Sequence, residues 1–102
     1  ARVAALPLGR AAIETGRWEA ASLLYAEALD HAPEATRRIA GGQPGRLDGW
    51  DVPLAGLYVE VWRGLALAKQ ASGDPDAARA ASLAAERLER AAGIPPPAAP
   101  AP

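Results

Sequence analysis

The sequence predicts an all-α domain, and three observations carry that reading. Apolar residues recur at steps of three and four in four separate segments, the spacing that lines one face of a helix. No alternation of apolar with polar residues is sustained long enough to read as a strand, so none is expected. Glycine or proline punctuates each segment, as turns between helices require. About a quarter of the residues are alanine, and phenylalanine, methionine and cysteine are absent. Such a composition suits close-packed helices with thin interfaces.

The first helix is expected from about Arg2 or Leu6 to Thr15, with Leu6, Gly9, Ala12 and Ile13 at helical spacing. Pro7 fits only a first turn, so either the helix starts at Leu6-Pro7 or residues 2–6 form an earlier element. Gly16 ends it. The second runs from Trp18 to about Ala32 on a broad stripe of Trp18, Ala21, Leu24, Tyr25, Ala28, Leu29 and Ala32. Pro33 marks its end, with a short helical extension allowed over Thr36–Ile39. Ala40-Gly41-Gly42-Gln43-Pro44-Gly45 then breaks regular structure. The third helix starts near Asp51-Val52-Pro53 and ends at Ala71 or Ser72. Its stripe is Leu54, Leu57, Tyr58, Val61, Trp62 and Leu65. Gly73 stops it, and Asp74 with Pro75 supplies an N-cap and a proline at the first helical position for the fourth. That helix ends near Ala92 on the Gly93-Ile94-Pro95 signature. Residues 95–102, rich in proline and alanine, cannot continue a helix and read as a disordered, polyproline-like tail.

Length and charge bound the function. A chain of 102 residues suffices for one domain, placed at 1–94, with a modest core. A net charge of -1 gives no electrostatic case for nucleic acid or an anionic membrane. No apolar run approaches the roughly 20 residues of a transmembrane helix, and no signal peptide is visible. Without cysteine there are no disulfides or thiolate metal sites; the compartment stays open, the cytoplasm being the default expectation.

The two halves of the chain repeat one another. Gly16-Arg17-Trp18-Glu19-Ala20-Ala21 and Gly73-Asp74-Pro75-Asp76-Ala77-Ala78 carry the same turn, and Leu8-Gly9 matches Leu65-Ala66 eight residues before each turn glycine. The pattern resembles the tetratricopeptide repeat (TPR), a helix-turn-helix unit of about 34 residues. The first unit, about 2–35, matches at Leu8, Gly9, Gly16, Trp18, Ala21, Tyr25, Ala28 and Pro33. The second, about 59–92, keeps Trp62, Leu65, Ala66, Gly73, Ala78 and Ala85, but has Lys69, Ser82 and Arg90 where the family carries two aromatics and a proline. The expected architecture is therefore two TPR-like antiparallel hairpins, about four helices, with a loop over about 36–58. That loop inserts about 23 residues relative to the usual period. Two units fall short of the roughly three that stand alone, which implies help from a homodimer, a partner or flanking sequence.

The resemblance implies that ligands lie on the face made by the first helix of each unit. Mapped by offset, that face carries Arg10, Ile13 and Glu14 from the first unit and Glu60, Arg63, Leu67 and Gln70 from the second. The lysine and asparagine pair with which some members grip a terminal carboxylate is absent, leaving Arg10 and Arg63 as bidentate carboxylate binders. Trp50 is expected to fold back over the core, with an interface anchor as the rival reading. Tyr58 and Trp62 read as core. His31, the only histidine, reads as a solvated residue at a helix C-terminus. A single histidine without cysteine gives no case for a zinc site, and Asp48, Asp51, Asp74 and Asp76 lack the glycine and glutamate of a calcium loop. Residues 41–45 lack the Lys-Ser/Thr ending of a phosphate loop, and Ser22, Ser72 and Ser82 have no recognisable base. No catalytic residue, metal or cofactor is expected, and the chain is not read as an enzyme.

The leading expectation is thus a non-catalytic adaptor that binds a protein or peptide segment along its helical groove. A regulatory or sensory domain of a larger bacterial protein, such as a transcription activator, is one alternative. A homo-oligomerisation unit is the other.

Overall fold

The computed structural model describes residues 2–94, with side chains from Pro7 onward. The proline-rich tail expected at 95–102 lies outside the described residues. Five helices make up the fold: α1 (Arg2–Glu14), α2 (Trp18–Asp30), α3 (Glu34–Ala40), α4 (Asp51–Ala71) and α5 (Pro75–Ala92). No strand occurs among the described residues, so the all-α expectation holds.

The repeated turn is the same structure at both places. Gly16 and Gly73 adopt φ of 74° and 87°, a left-handed conformation that glycine enters without a Cβ clash. The next residue then closes the helix end: Arg17 N–H donates to the Ala12 carbonyl at 2.7 Å, and Asp74 N–H to the Lys69 carbonyl at 2.9 Å. After the second turn Asp74 caps α5, its carboxylate accepting the Ala77 N–H at 3.2 Å, with Pro75 in the first helical position. The far end of α5 closes as the Gly93-Ile94 signature implies, Ile94 N–H donating to the Glu89 carbonyl at 2.8 Å. Ile94 packs back against the core.

Three features depart from expectation. First, there are five helices rather than about four. The short α3 follows Pro33, which sits at its N-cap position, and buries Thr36, Ile39 and Ala40. A seven-residue helix is too short to persist alone, so its packing against α4 and α5 sustains it. Second, α1 runs through Pro7, whose missing N–H forfeits one bond of the ladder. Third, Trp50 does not cover the core: it is 85% exposed, while Leu47, three residues earlier, is 9% exposed and belongs to the core cluster. The loop has room to tuck in one large side chain before α4 begins at Asp51, and the leucine takes that place.

Helices α1 and α2 pack together, α4 lies against both α2 and α5, and α3 braces α5. The core where they meet holds Ala21, Tyr25, Ala28, Ala55, Tyr58, Val61, Ala68, Ala85 and Leu88, each at most 3% exposed. Tyr58 donates to the His31 carbonyl at 3.4 Å, tying α4 to the end of α2.

Tyr25 organises the α1–α2–α4 junction. Its ring, 2% exposed, lies between two glycines on different helices. A Cβ added to Gly9 of α1 would fall 2.5 Å from Tyr25 Cζ, and one added to Gly64 of α4 would fall 2.6 Å from Cε2 and 2.7 Å from Oη. Both lie well inside ordinary carbon contact. Gly9 therefore makes room for an aromatic ring from α2.

Candidate functional site

The Tyr25 clamp sets the floor of an open groove of about 340 Å³ between α1 and α4. Arg10, Ile13 and Glu14 reach it from α1, and Glu60, Arg63, Gly64 and Leu67 from α4. Because helical positions three and four apart share a face, these residues point to one side of each helix. With no Cβ at Gly64, the Tyr25 ring edge is left at the floor.

Charge in the groove is already organised. Arg10 and Glu60 pair across it at 2.8 Å, both half-exposed, so the link is solvated and weak. Arg63 pairs with Glu89 of α5, whose carboxylate is buried at 5% exposure. The Arg63 Nε is itself buried and has no hydrogen-bond partner among the described residues. That pair is a structural tie between α4 and α5, since removing Arg63 would strand the Glu89 carboxylate away from water. Neither arginine is thus held in reserve for a ligand carboxylate. Burial pushes the Tyr25 hydroxyl above its ordinary pKa; Arg10 opposes the shift and Glu60 adds to it.

Of the eight residues assigned to partner binding, six line this groove: Arg10, Ile13, Glu14, Glu60, Arg63 and Leu67. Gln70 lies one turn further along α4, in an adjoining hollow with Leu67, Ala78 and Arg79. Trp50 is in neither. Comparison with family models, curated proteins and solved structures gives no match. The site therefore rests on its own geometry.

Three participants escaped the sequence reading. Tyr25 is read from the sequence only as part of the α2 stripe and the repeat match; its ring lies at the groove floor. Gly64 has no side chain to signal a role. Glu89 was legible in principle, because it continues the buried series Ala78, Ala81, Ala85 at helical steps; a carboxylate there calls for a cation on the facing helix. Among the described residues no group of three or more histidine, cysteine or acidic side chains is placed to hold a metal ion, and no helix is long and apolar enough to cross a membrane.

Proposed function

We propose that this chain is a TPR-like interaction module that binds an extended protein segment in the groove between α1 and α4. One observation supports the reading most: six of the seven residues mapped from the repeat pattern line one groove, with apolar side chains beside charged ones. Ile13 and Leu67, above the buried Tyr25 ring, offer apolar surface for one or two side chains of a ligand. Glu14 and the Arg10–Glu60 pair beside it offer hydrogen bonds that orient a peptide more than they tighten it. Such a site needs no cofactor and performs no reaction.

The test is selection from a phage-displayed peptide library on the wild-type chain, followed by binding to Leu67→Glu and Glu60→Lys variants. Both positions are exposed, so the variants keep the fold, which melting by circular dichroism checks. Arg63 is unsuitable here because its loss strands Glu89. The proposal expects selected peptides to lose at least tenfold in affinity on Leu67→Glu. Peptides that bind wild type and both variants equally would refute it.

Trp50 favours a second reading, an interface between copies of the chain. It is 85% exposed, with Val52 and Leu54 also exposed on the first turn of α4. A bare tryptophan beside two aliphatics is the composition of an interface anchor. Light scattering of wild type and Trp50→Ser tests this: a dimer that the substitution dissociates supports it, and a monomer at high micromolar concentration removes it.

A further inference from the structure

A second groove lies on the other side of α4. At about 100° per residue, Trp62, Leu65 and Lys69 share one face of this helix, roughly opposite the face bearing Glu60, Gly64 and Leu67. Trp62 and Leu65 floor a hollow of about 550 Å³ with Lys69 at its rim, lined also by the end of α2, by α3 and by α5. The size falls within the range of ligand-binding clefts, about 300–1,000 Å³. Trp62 and Leu65 pack against the core on one side and remain half-open to the hollow on the other.

The rim of this hollow is unbalanced in charge. It carries Arg37, Lys69 and Arg87 against a single acid, Asp30. Neither Arg37 nor Lys69 forms an ion pair among the described residues. Arg87 donates to the Ala40 carbonyl at 3.0 Å and likewise has no carboxylate partner there. An occupant that covers the apolar floor strips water from these cations, and it binds well only if it supplies carboxylates in return.

We propose that this groove docks an acidic amphipathic helix from a partner protein. Its apolar stripe seats on Trp62 and Leu65, and carboxylates flanking that stripe meet Arg37 and Lys69. A helix presents such a stripe through anchors at i, i+3, i+4 and i+7, with its carboxylates at the flanking positions. The site is separate from the α1–α4 groove, and its residues lie on a different face of α4.

The probe is a synthetic helical peptide with a leucine stripe flanked by glutamates, compared with a twin carrying lysines in place of the glutamates. The full chain carries Trp18→Phe and Trp50→Phe, so that Trp62 alone reports by its emission. The glutamate peptide is expected to bind saturably and to shift Trp62 emission to the blue. Affinity should fall about two- to fivefold for each of Arg37→Glu and Lys69→Glu, and should weaken with added salt. The doubly reversed chain should prefer the lysine twin, an exchange that damage to the fold would not produce. Equal affinity for the two peptides, or binding without a Trp62 response, overturns the proposal. Tighter saturation by dodecanoate assigns the groove to a small amphiphile, and a dimer that blocks the peptide assigns it to a second copy; either result also overturns it.

Discussion

Replacing Gly64 by alanine would normally stabilise a helix, by about 1 kcal/mol in an exposed interior position. Here the opposite is expected. The new Cβ would stand 2.6 Å from Tyr25 Cε2 and 2.7 Å from its Oη, so the ring must move. It has nowhere to go, because the ring also closes on Gly9 on its other side, where an added Cβ would stand only 2.5 Å from Tyr25 Cζ. Overpacking of this kind costs about 1–3 kcal/mol, so Gly64→Ala should destabilise by up to about 2 kcal/mol once the propensity gain is set against it. For a domain of this size that is a fall of up to about 15 °C in Tm. Urea unfolding followed by circular dichroism measures it. The cause is isolated by repeating the change in Tyr25→Leu, which removes the end of the ring. There Gly64→Ala should become neutral or stabilising, giving a coupling of about 1–3 kcal/mol between the two positions. Greater stability of Gly64→Ala in the wild-type background, or the same effect in both backgrounds, would refute the clamp.

Arg63→Met should cost about 3–5 kcal/mol by stranding the buried Glu89 carboxylate, and Arg63→Met with Glu89→Leu should recover most of it; equal stability of the single and double variants would show that Glu89 is not held by this pair. Thr36 is fully buried, and its hydroxyl has no hydrogen-bond partner among the described residues, so Thr36→Val should raise stability by about 1 kcal/mol in urea unfolding. The raised Tyr25 pKa makes stability depend on pH at the alkaline end. The unfolded chain releases the phenol proton near pH 10 and the folded chain holds it longer. The contribution is therefore complete below pH 10 and declines as pH rises through the folded value. Unfolding measured against pH should show this decline in wild type and lose it in Tyr25→Phe. Leu47→Ala should destabilise by about 2 kcal/mol, while Trp50→Ala should leave monomer stability unchanged within about 0.5 kcal/mol; thermal melts that rank them the other way would restore Trp50 to the core.

What the sequence revealed follows from how local each feature is. The limits of α4 and α5 were legible because glycine, an aspartate cap and a first-turn proline act within a few residues of one another. The equivalence of the turns at Gly16 and Gly73 was legible for the same reason. Helix α3 was only half visible, since a seven-residue segment depends on distant packing and not on its own propensity. The choice of Leu47 over Trp50 as the buried loop residue depends on the geometry of the chain entering α4, which residue type does not encode. In the groove, repeat offsets brought together Arg10, Ile13, Glu14, Glu60, Arg63 and Leu67. The state of its arginines was hidden, because each partner lies 26 or 50 residues away in sequence. Gly64 was silent, and its effect comes from what it does not place against Tyr25.

We propose that the face between α1 and α4 receives a protein segment. A titration of the isotopically labelled chain with a library-selected peptide, followed by amide shifts in two-dimensional NMR, tests it. Binding there should give shifts centred on residues 10–14 and 60–67, with Gly64 among the largest. Shifts confined to the Trp50 turn, or to the Trp62 face of α4, would contradict it.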